Sequence, residues 1–541
     1  MIIGRRRFVG STLATVASLP VGLVWADTAS VGAIPASLAA ITGAGRPTTL
    51  TAAEVKELRA SLRGQLLLAK DEGYDSARRL NNPMFDKHPA LIARCAGPED
   101  VVQAVNFARA HALLTAVRGG GHSLSGQSSC DGGLMIDLAP MKRIRIDAQR
   151  QVGQAQGGVL LGELDRKMQA VGLATTMGTA TDTGIAGLTL GGGMGRLMRC
   201  HGLACDNLLS VEIVTADGTL RHASATENPD LFWGIRGGGG NFGVVTDFEY
   251  QLHPLTGKVL DGGRLYPISQ ARSVITAMAE LGEHSSDELL LGAVLLASPP
   301  GGTHPAGRFI QLEGTYIGDL KEGERQLAPF KKLGTPLADD LTAKSYLAAQ
   351  GAVSTAPVAA PNATSTYTKT GFLRGAQAQF IDELVRRFEA APPFLSAEVV
   401  VAQMGGAVAR VAQTATAFWN RPSTHDVLIS GEVDGPIAGC RADCGDPRGL
   451  GRRGTLHAGL LCQHRAGCER AARARHLRRQ LRPPAATEKQ IRPDQPVPHE
   501  REHQADRLER NIVVEVVLGA GGGCIAEFPA AGSRRRGLLG T

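Results

Sequence analysis

Val117-Arg118-Gly119-Gly120-Gly121-His122-Ser123 decides how this 541-residue chain is read. Three consecutive glycines let a backbone turn tightly and bring its N–H groups within reach of a diphosphate, with no Cβ in the way. His122 follows at once, where its ring can capture the same ligand, which points to a flavin. The flanks predict the fold around the turn. Residues 96–102 read as a helix start, because Pro98 is tolerated in a first turn and Glu99 and Asp100 favour the positive end of the helix dipole. The helix continues toward Leu113, Thr115-Ala116-Val117 reads as a short strand entering the glycines, and residues 133–138 read as an apolar strand punctuated by Pro140. Strand, glycine turn and strand together predict a phosphate cradle.

Two further blocks repeat the glycine pattern. The first is Thr181-Asp182-Thr183-Gly184-Ile185-Ala186-Gly187-Leu188-Thr189-Leu190-Gly191-Gly192-Gly193-Met194-Gly195, followed by Gly202-Leu203-Ala204-Cys205-Asp206-Asn207. The second is Trp233-Gly234-Ile235-Arg236-Gly237-Gly238-Gly239-Gly240-Asn241-Phe242-Gly243-Val244-Val245-Thr246. In this order, over roughly residues 80–255, the three blocks resemble the FAD-linked oxidases of the vanillyl-alcohol oxidase and berberine bridge enzyme superfamily. The resemblance implies an α+β chain, with a PCMH-type two-subdomain FAD-binding fold followed by an antiparallel-sheet substrate domain covered by helices. It implies FAD carried covalently by His122 through the 8α-methyl group. It also implies cofactor contacts from Arg118, Gly119, Gly120, Gly121 and Ser123, from Thr181, Asp182, Thr183, Gly184, Gly187, Leu188, Gly191, Gly192, Gly193 and Gly195, and from Gly243, Val244 and Val245. Bicovalent members of the family add a cysteinyl link, but the matching positions here are Ala180 and Leu188, so one link is expected. Leu124 stands where those members often have tyrosine. Cys200 and Cys205 fall outside the pattern and read as buried thiols.

Gly4-Arg5-Arg6-Arg7-Phe8-Val9 matches the twin-arginine pattern, and the apolar stretch from Leu13 ends in Val24-Trp25-Ala26, a cleavage site with small residues at the required positions. That stretch is too short for a good membrane span, so export through the twin-arginine machinery to the periplasm or exterior is expected, with no membrane association after leader removal. Residues 1–26 are then the signal peptide, 27–79 a leader and N-terminal helical segment, 80–257 the FAD-binding domain and 258–435 the substrate domain. In the last of these, residues 289–296 and 309–312 read as strands, and residues 377–391 as a helix with Phe380, Leu384, Val385 and Phe388 on its core face.

From about residue 437 the chain turns rich in arginine and cysteine and loses hydrophobic periodicity. Spacings such as Cys440 to Cys444 and Cys462 to Cys468 suggest zinc, but a shift of reading frame explains the segment better, and no metal is assigned. Started at the second base of the Ile491 codon, the shifted frame can spell Tyr-Asp-Pro-Thr-Asn-Leu-Phe-Arg-Met-Asn-Ala-Asn-Ile-Lys-Pro, which resembles the C-terminal signature of the same superfamily. In that frame residues 480–489 can yield Asn-Tyr-Asp-Arg-Leu-Arg-Arg-Leu-Lys and residues 460–464 Phe-Tyr-Val-Asn, both expected just upstream of the signature. A frameshift between about residues 436 and 450 is inferred, leaving 436–541 a disordered tail. Charge supports it. Of 58 Lys and Arg, 19 lie beyond residue 440, as do 11 of 51 Asp and Glu, so the rest of the chain has a net charge of −1. Five of nine cysteines also lie in the tail. The basic pI therefore gives no reason to expect nucleic-acid or membrane binding.

The expected activity is oxidation of a small alcohol, amine or sugar by hydride transfer to the flavin, with oxygen or another acceptor taking the electrons. Two alternatives remain open: a dehydrogenase of the same fold using another acceptor, and an inactive flavin-binding protein disabled by the frameshift. No catalytic residue is named by the sequence.

Overall fold

The computed structural model describes residues 33–298, 306–351, 365–390 and 397–433. The leader and the tail from 436 lie outside the described residues.

The first lobe is built on four strands in the order Gln65–Leu67, Leu91–Arg94, Leu134–Asp137, Thr115–Arg118. Its last three strands are parallel. A parallel sheet is covered on both faces, which is why Leu134, Met135 and Ile136 are an unbroken apolar run with no exposed surface. The helix Pro98–Ala110 crosses between Leu91–Arg94 and Thr115–Arg118, and it starts at a proline with two acidic residues in its first turn. The described part of the expected N-terminal helical segment, residues 33–79, holds strands as well as helices: the hairpin of Ser37–Ile41 with Pro47–Thr51, then the helix Ala52–Ser61, the strand Gln65–Leu67 and the helix Tyr74–Arg78. Leu50, Val55, Leu58 and Leu66 pack into the same core as Leu91 and Ile136, so this segment completes the first lobe rather than leading into it.

The second lobe is a five-stranded antiparallel sheet in the order Leu220–Ser224, Leu208–Val214, Val244–Gln251, Val152–Gln156, Ile144–Asp147. The helices Leu161–Gln169, Ile185–Leu190 and Pro229–Ile235 contribute to its core, where Leu164, Ile185 and Phe232 meet Val211, Val245 and Phe248.

From Lys258 the chain forms an eight-stranded antiparallel sheet. Seven strands run in the order Ala338–Asp339, Lys258–Pro267, Gly307–Tyr316, Leu289–Ser298, Ala397–Gln403, His425–Val433, Ser365–Leu373, and Thr342–Ser345 pairs with Lys258–Pro267. One face carries Leu291, Ala293, Leu295, Ile310, Leu312, Val399 and Val401 against the helices Ala271–His284, Leu320–Leu327 and Ala378–Ala390. Leu384 and Phe388 are buried there and Phe380 and Val385 pack at the margin, as their spacing predicts. Because side chains alternate along a strand, the other face is a separate surface.

The lobes and the large sheet are tied by buried polar side chains. Arg421, 1% exposed, donates to both carboxylate oxygens of Asp206 at 2.6 Å and to Thr416 Oγ1 at 2.7 Å. Asn82 Nδ2 donates to the Thr366 carbonyl at 2.7 Å and its Oδ1 accepts from Thr366 N–H at 3.2 Å.

Candidate functional site

The glycine turn leaves the end of Thr115–Arg118, a strand fixed by its pairing with Leu134–Asp137. Gly121 adopts φ +78°, a region side chains resist, and a Cβ there would meet Arg118 Nη2 at 2.8 Å. Gly120 is constrained by contact instead. A Cβ on it would stand 2.4 Å from Gly184 N and 2.5 Å from Gly184 Cα, and one on Gly184 would stand 2.3 Å from Gly120 N. Two loops distant in sequence thus meet backbone to backbone. Among the described residues, the amides of residues 119–123 donate to no protein acceptor. A cradle closed by glycine and lined by available N–H groups fits a diphosphate, and with it FAD.

Arg118 braces this turn from beneath. It is 5% exposed, and its Nη1 donates to Asp137 Oδ1 at 3.1 Å, while Asp137 Oδ2 accepts from Arg94 Nε at 3.1 Å. The Arg118 side chain is therefore committed to the sheet. His122 is half-buried, with Nε2 3.7 Å from Asp182 Oδ1. Asp182 Oδ2 accepts from Asn81 Nδ2 at 3.1 Å, and the Asn81 amide donates to the Gly121 carbonyl at 2.8 Å. The structure so joins two of the sequence blocks at one point and adds Asn81, which no motif marked.

The second block is a loop and a short helix. The carbonyls of Thr181 and Thr183 accept from the amides of Gly162 and Leu161, which fixes the loop on the second lobe. Gly187, in the helix Ile185–Leu190, is exposed, and a Cβ there would meet nothing within 4 Å. Leu188 is half-buried and lies where Cβ atoms on Gly178 and Gly193 would fall. Gly191 is exposed and ends that helix, while Gly192 and Gly193 have positive φ, the former against the Phe418 ring. A Cβ on Gly195 would stand 1.6 Å from the Met177 carbonyl oxygen. In the third block Gly243 is packed against the Val214 carbonyl. Val244 and Val245 send their side chains into the cores of the first and second lobes, so only their main chain is free to face a ligand. Cys205 is fully buried, and burial pushes its thiol up to about 12. Cys200 is only half-buried, and its thiol is likewise pushed up to about 12, first by burial.

The uncovered face of the large sheet turns toward these loops. Asp261 accepts from Arg196 Nε at 3.2 Å, and Leu290 and Phe372 pack with Met194 and Phe418. The same face carries Glu313, Glu398 and Asp426, as the pairings Gly292 with Glu313, Leu296 with Glu398 and Phe372 with Asp426 require. Desolvation raises all three carboxyls, Asp426 to about 7, although Glu313 and Glu398 remain accessible to water. These acids lie on the face turned toward the glycine loops, the cleft side of the sheet, where acid–base groups are useful. No local pattern marks them, because face assignment depends on strand register. A depression of about 380 Å³ lined by Ile268, Ala297, Gly307, Arg308 and Glu389 belongs to the large sheet and its helices alone and touches none of the glycine loops.

These loops and the sheet above them define a flavin-binding protein. Residues 89–224 match the FAD binding domain family. The chain is 34% identical over 292 residues to (R)-6-hydroxynicotine oxidase of Paenarthrobacter nicotinovorans, covering 53% of this chain and 62% of the relative. It is 36% identical over 292 residues to the FAD-linked oxidoreductase pgmH of Aspergillus terreus, covering 52% and 58%. The chain thus spans about three-fifths of the length of these curated relatives. Among solved structures it is similar to 6-hydroxy-D-nicotine oxidase from Arthrobacter nicotinovorans, with TM-score 0.61, 26% identity and coverage of 70% and 83%. It is also similar to the glucooligosaccharide oxidase of Acremonium strictum, with TM-score 0.63, 25% identity and coverage of 70% and 81%. The relatives and solved structures it is similar to are FAD-linked oxidoreductases and oxidases by name, and residues 89–224 carry the FAD binding domain.

Proposed function

We propose that this chain is an FAD-dependent oxidoreductase that oxidises a small alcohol, amine or sugar, holds its flavin covalently through His122 and uses dioxygen as acceptor. The observation that carries the reading is the meeting of Gly120 and Gly184 beside His122, which leaves a backbone cradle no side chain can fill. When bound, the flavin accepts a hydride from substrate and passes two electrons on. The amides of residues 119–123 bind its diphosphate, and Gly187 leaves its surface open to close approach. Asp426, with its carboxyl pushed up to about 7 by burial, takes and returns a proton at neutral pH, and Glu313 and Glu398 shape the polarity of the cleft.

The segment before residue 27 is proposed to carry the folded, flavin-loaded protein out through the twin-arginine route. The residues after 436 are proposed to be a frame-shifted version of the superfamily's C-terminal segment.

The test is to purify the chain and present a substrate panel that includes 6-hydroxynicotine and glucooligosaccharides, substrates named in its relatives. A yellow protein whose flavin absorbance bleaches with one of them, with peroxide formed in air, supports the reading. Bleaching without peroxide identifies a dehydrogenase. Asp426→Asn lowers turnover by about 10²-fold or more if Asp426 moves the proton. A well-folded protein that binds no FAD refutes the proposal.

A further inference from the structure

We infer that Asp182 is the positioning residue for covalent attachment at His122, an inference that rests on the covalent linkage proposed above. Among the described residues, Asp182 is the only carboxylate with an oxygen within 4 Å of a His122 ring nitrogen. It does not reach His122 by accident of a flexible chain. Its Oδ2 is held by Asn81 Nδ2 at 3.1 Å, and Asn81 is itself anchored through its amide to the carbonyl of Gly121, the residue before His122. Asp182 also sits two residues before Gly184, whose backbone is wedged against Gly120. The histidine and its carboxylate are thus set by one rigid junction of two loops.

The chemistry follows from which ring nitrogen faces the acid. Asp182 Oδ1 lies 3.7 Å from Nε2, beyond hydrogen-bond range but a separation that contacts of this kind shorten once a ligand is seated. A carboxylate on Nε2 holds the proton there and leaves the lone pair on Nδ1. Nδ1 then forms the bond to the 8α-carbon of FAD. One C–H bond of the methyl group breaks and its hydrogen leaves as a proton. The imidazole, cationic once Nδ1 is alkylated, gives up its Nε2 proton afterwards. The two electrons of the broken bond remain on the isoalloxazine, which is reduced, until dioxygen takes them with two protons as hydrogen peroxide. Asp182 stabilises the imidazolium during this step.

The experiment compares full-length wild type with His122→Ala, Asp182→Ala, Asp182→Asn and Asp182→Glu. Two quantities are read for each: total bound FAD by absorbance, and the covalent fraction by flavin fluorescence that stays with the polypeptide on a denaturing gel. The expected result is no covalent flavin in His122→Ala, and total FAD retained in Asp182→Ala and Asp182→Asn with the covalent fraction reduced about tenfold or more. Asp182→Glu recovers part of that loss, which a purely structural role would not predict. Covalent loading of Asp182→Ala and Asp182→Asn at the wild-type level overturns the inference and leaves the covalent reading intact. Parallel loss of total and covalent FAD in all Asp182 variants also overturns it, as a folding defect. A wild-type protein whose flavin is entirely released on denaturation overturns the covalent reading, and this inference with it.

Discussion

Replacing Gly120 by alanine adds one methyl group where two backbones meet. The new Cβ would lie 2.4 Å from Gly184 N, 2.5 Å from Gly184 Cα and 2.8 Å from Leu160 Cδ2, against the 3.4 Å or more of ordinary contact. Leu160 can rotate, but Gly184 cannot, because both its neighbours are bonded to the second lobe: the Thr183 carbonyl accepts from Leu161 N–H, and Ile185 N–H donates to the Val159 carbonyl. The loops must part by about 1 Å, and overpacking of this kind costs about 1–3 kcal/mol. If the cost falls on the bound state, FAD affinity drops between about fivefold and 150-fold, since each 1.4 kcal/mol is tenfold. Gly187→Val is the counterpart, because a Cβ there meets no protein atom within 4 Å. Its thermal midpoint without FAD should match wild type while FAD retention falls, because the added side chain occupies cofactor space and not protein space. Both variants are read in the His122→Ala background, where FAD is held without a covalent bond, by flavin absorbance after gel filtration and by thermal unfolding with and without FAD. Gly120→Ala and Gly187→Val that each retain FAD like wild type would refute the placement of the cofactor between these loops.

Arg421→Met strands the Asp206 carboxylate in the interior and should lower unfolding stability by about 3–5 kcal/mol, measured by urea denaturation. Arg421→Met with Asp206→Leu should recover much of that loss, because neither charge is then left buried alone. Asp165 is 1% exposed, and burial pushes its carboxyl up to about 7. A carboxyl whose folded pKa is raised gives stability that is present below its unfolded pKa and lost as pH rises through the folded value, so stability should decline between about pH 4 and pH 7 by at most about 1.4 kcal/mol per pH unit from this group. Asp165→Asn should flatten that decline in pH-dependent thermal unfolding, and an unchanged profile would reject Asp165 as its source. Sequencing the coding DNA across codons 430–510 should reveal a missing or extra base between codons 436 and 450, and an uninterrupted written frame would rule out a recording error and leave the shift as a property of the gene itself.

The glycine blocks were legible because glycine records a physical demand, close approach or positive φ, that no other residue meets. Gly120, Gly121, Gly184, Gly193 and Gly195 each sit where a Cβ would collide or a positive φ is needed. The apolar runs at Leu289–Ser298 and Gly307–Tyr316 were legible for a similar reason, since strand length and β-branched or aliphatic content go together. Short and polar elements were not. Pro47–Thr51 has three threonines and one buried leucine, too little pattern to separate strand from loop. Long-range polar pairs were invisible altogether: nothing local links Arg421 to Asp206 or Asn81 to Asp182. The cleft acids needed the register of the whole sheet, because Glu313, Glu398 and Asp426 come from three strands and share a face only after pairing. Val244 and Val245 show that a motif residue can serve two ends, since their side chains pack into the cores and leave only the main chain for the expected cofactor contact.

The two-sidedness of the large sheet has a consequence for how such a protein diversifies. Ile310, Leu312, Val399, Val401 and Val427 support the helices, and the residues between them on the same strands lie on the opposite face. Substrate preference can therefore drift through positions such as Gln311, Val400 and Leu428 while the aliphatic partners beside them in sequence stay fixed. Adjacent codons answer to different selective pressures, one to solubility and folding and the other to chemistry. A lineage of this architecture can explore new small molecules without first acquiring spare stability, since the residues that change are insulated by one strand thickness from those that hold the domain together.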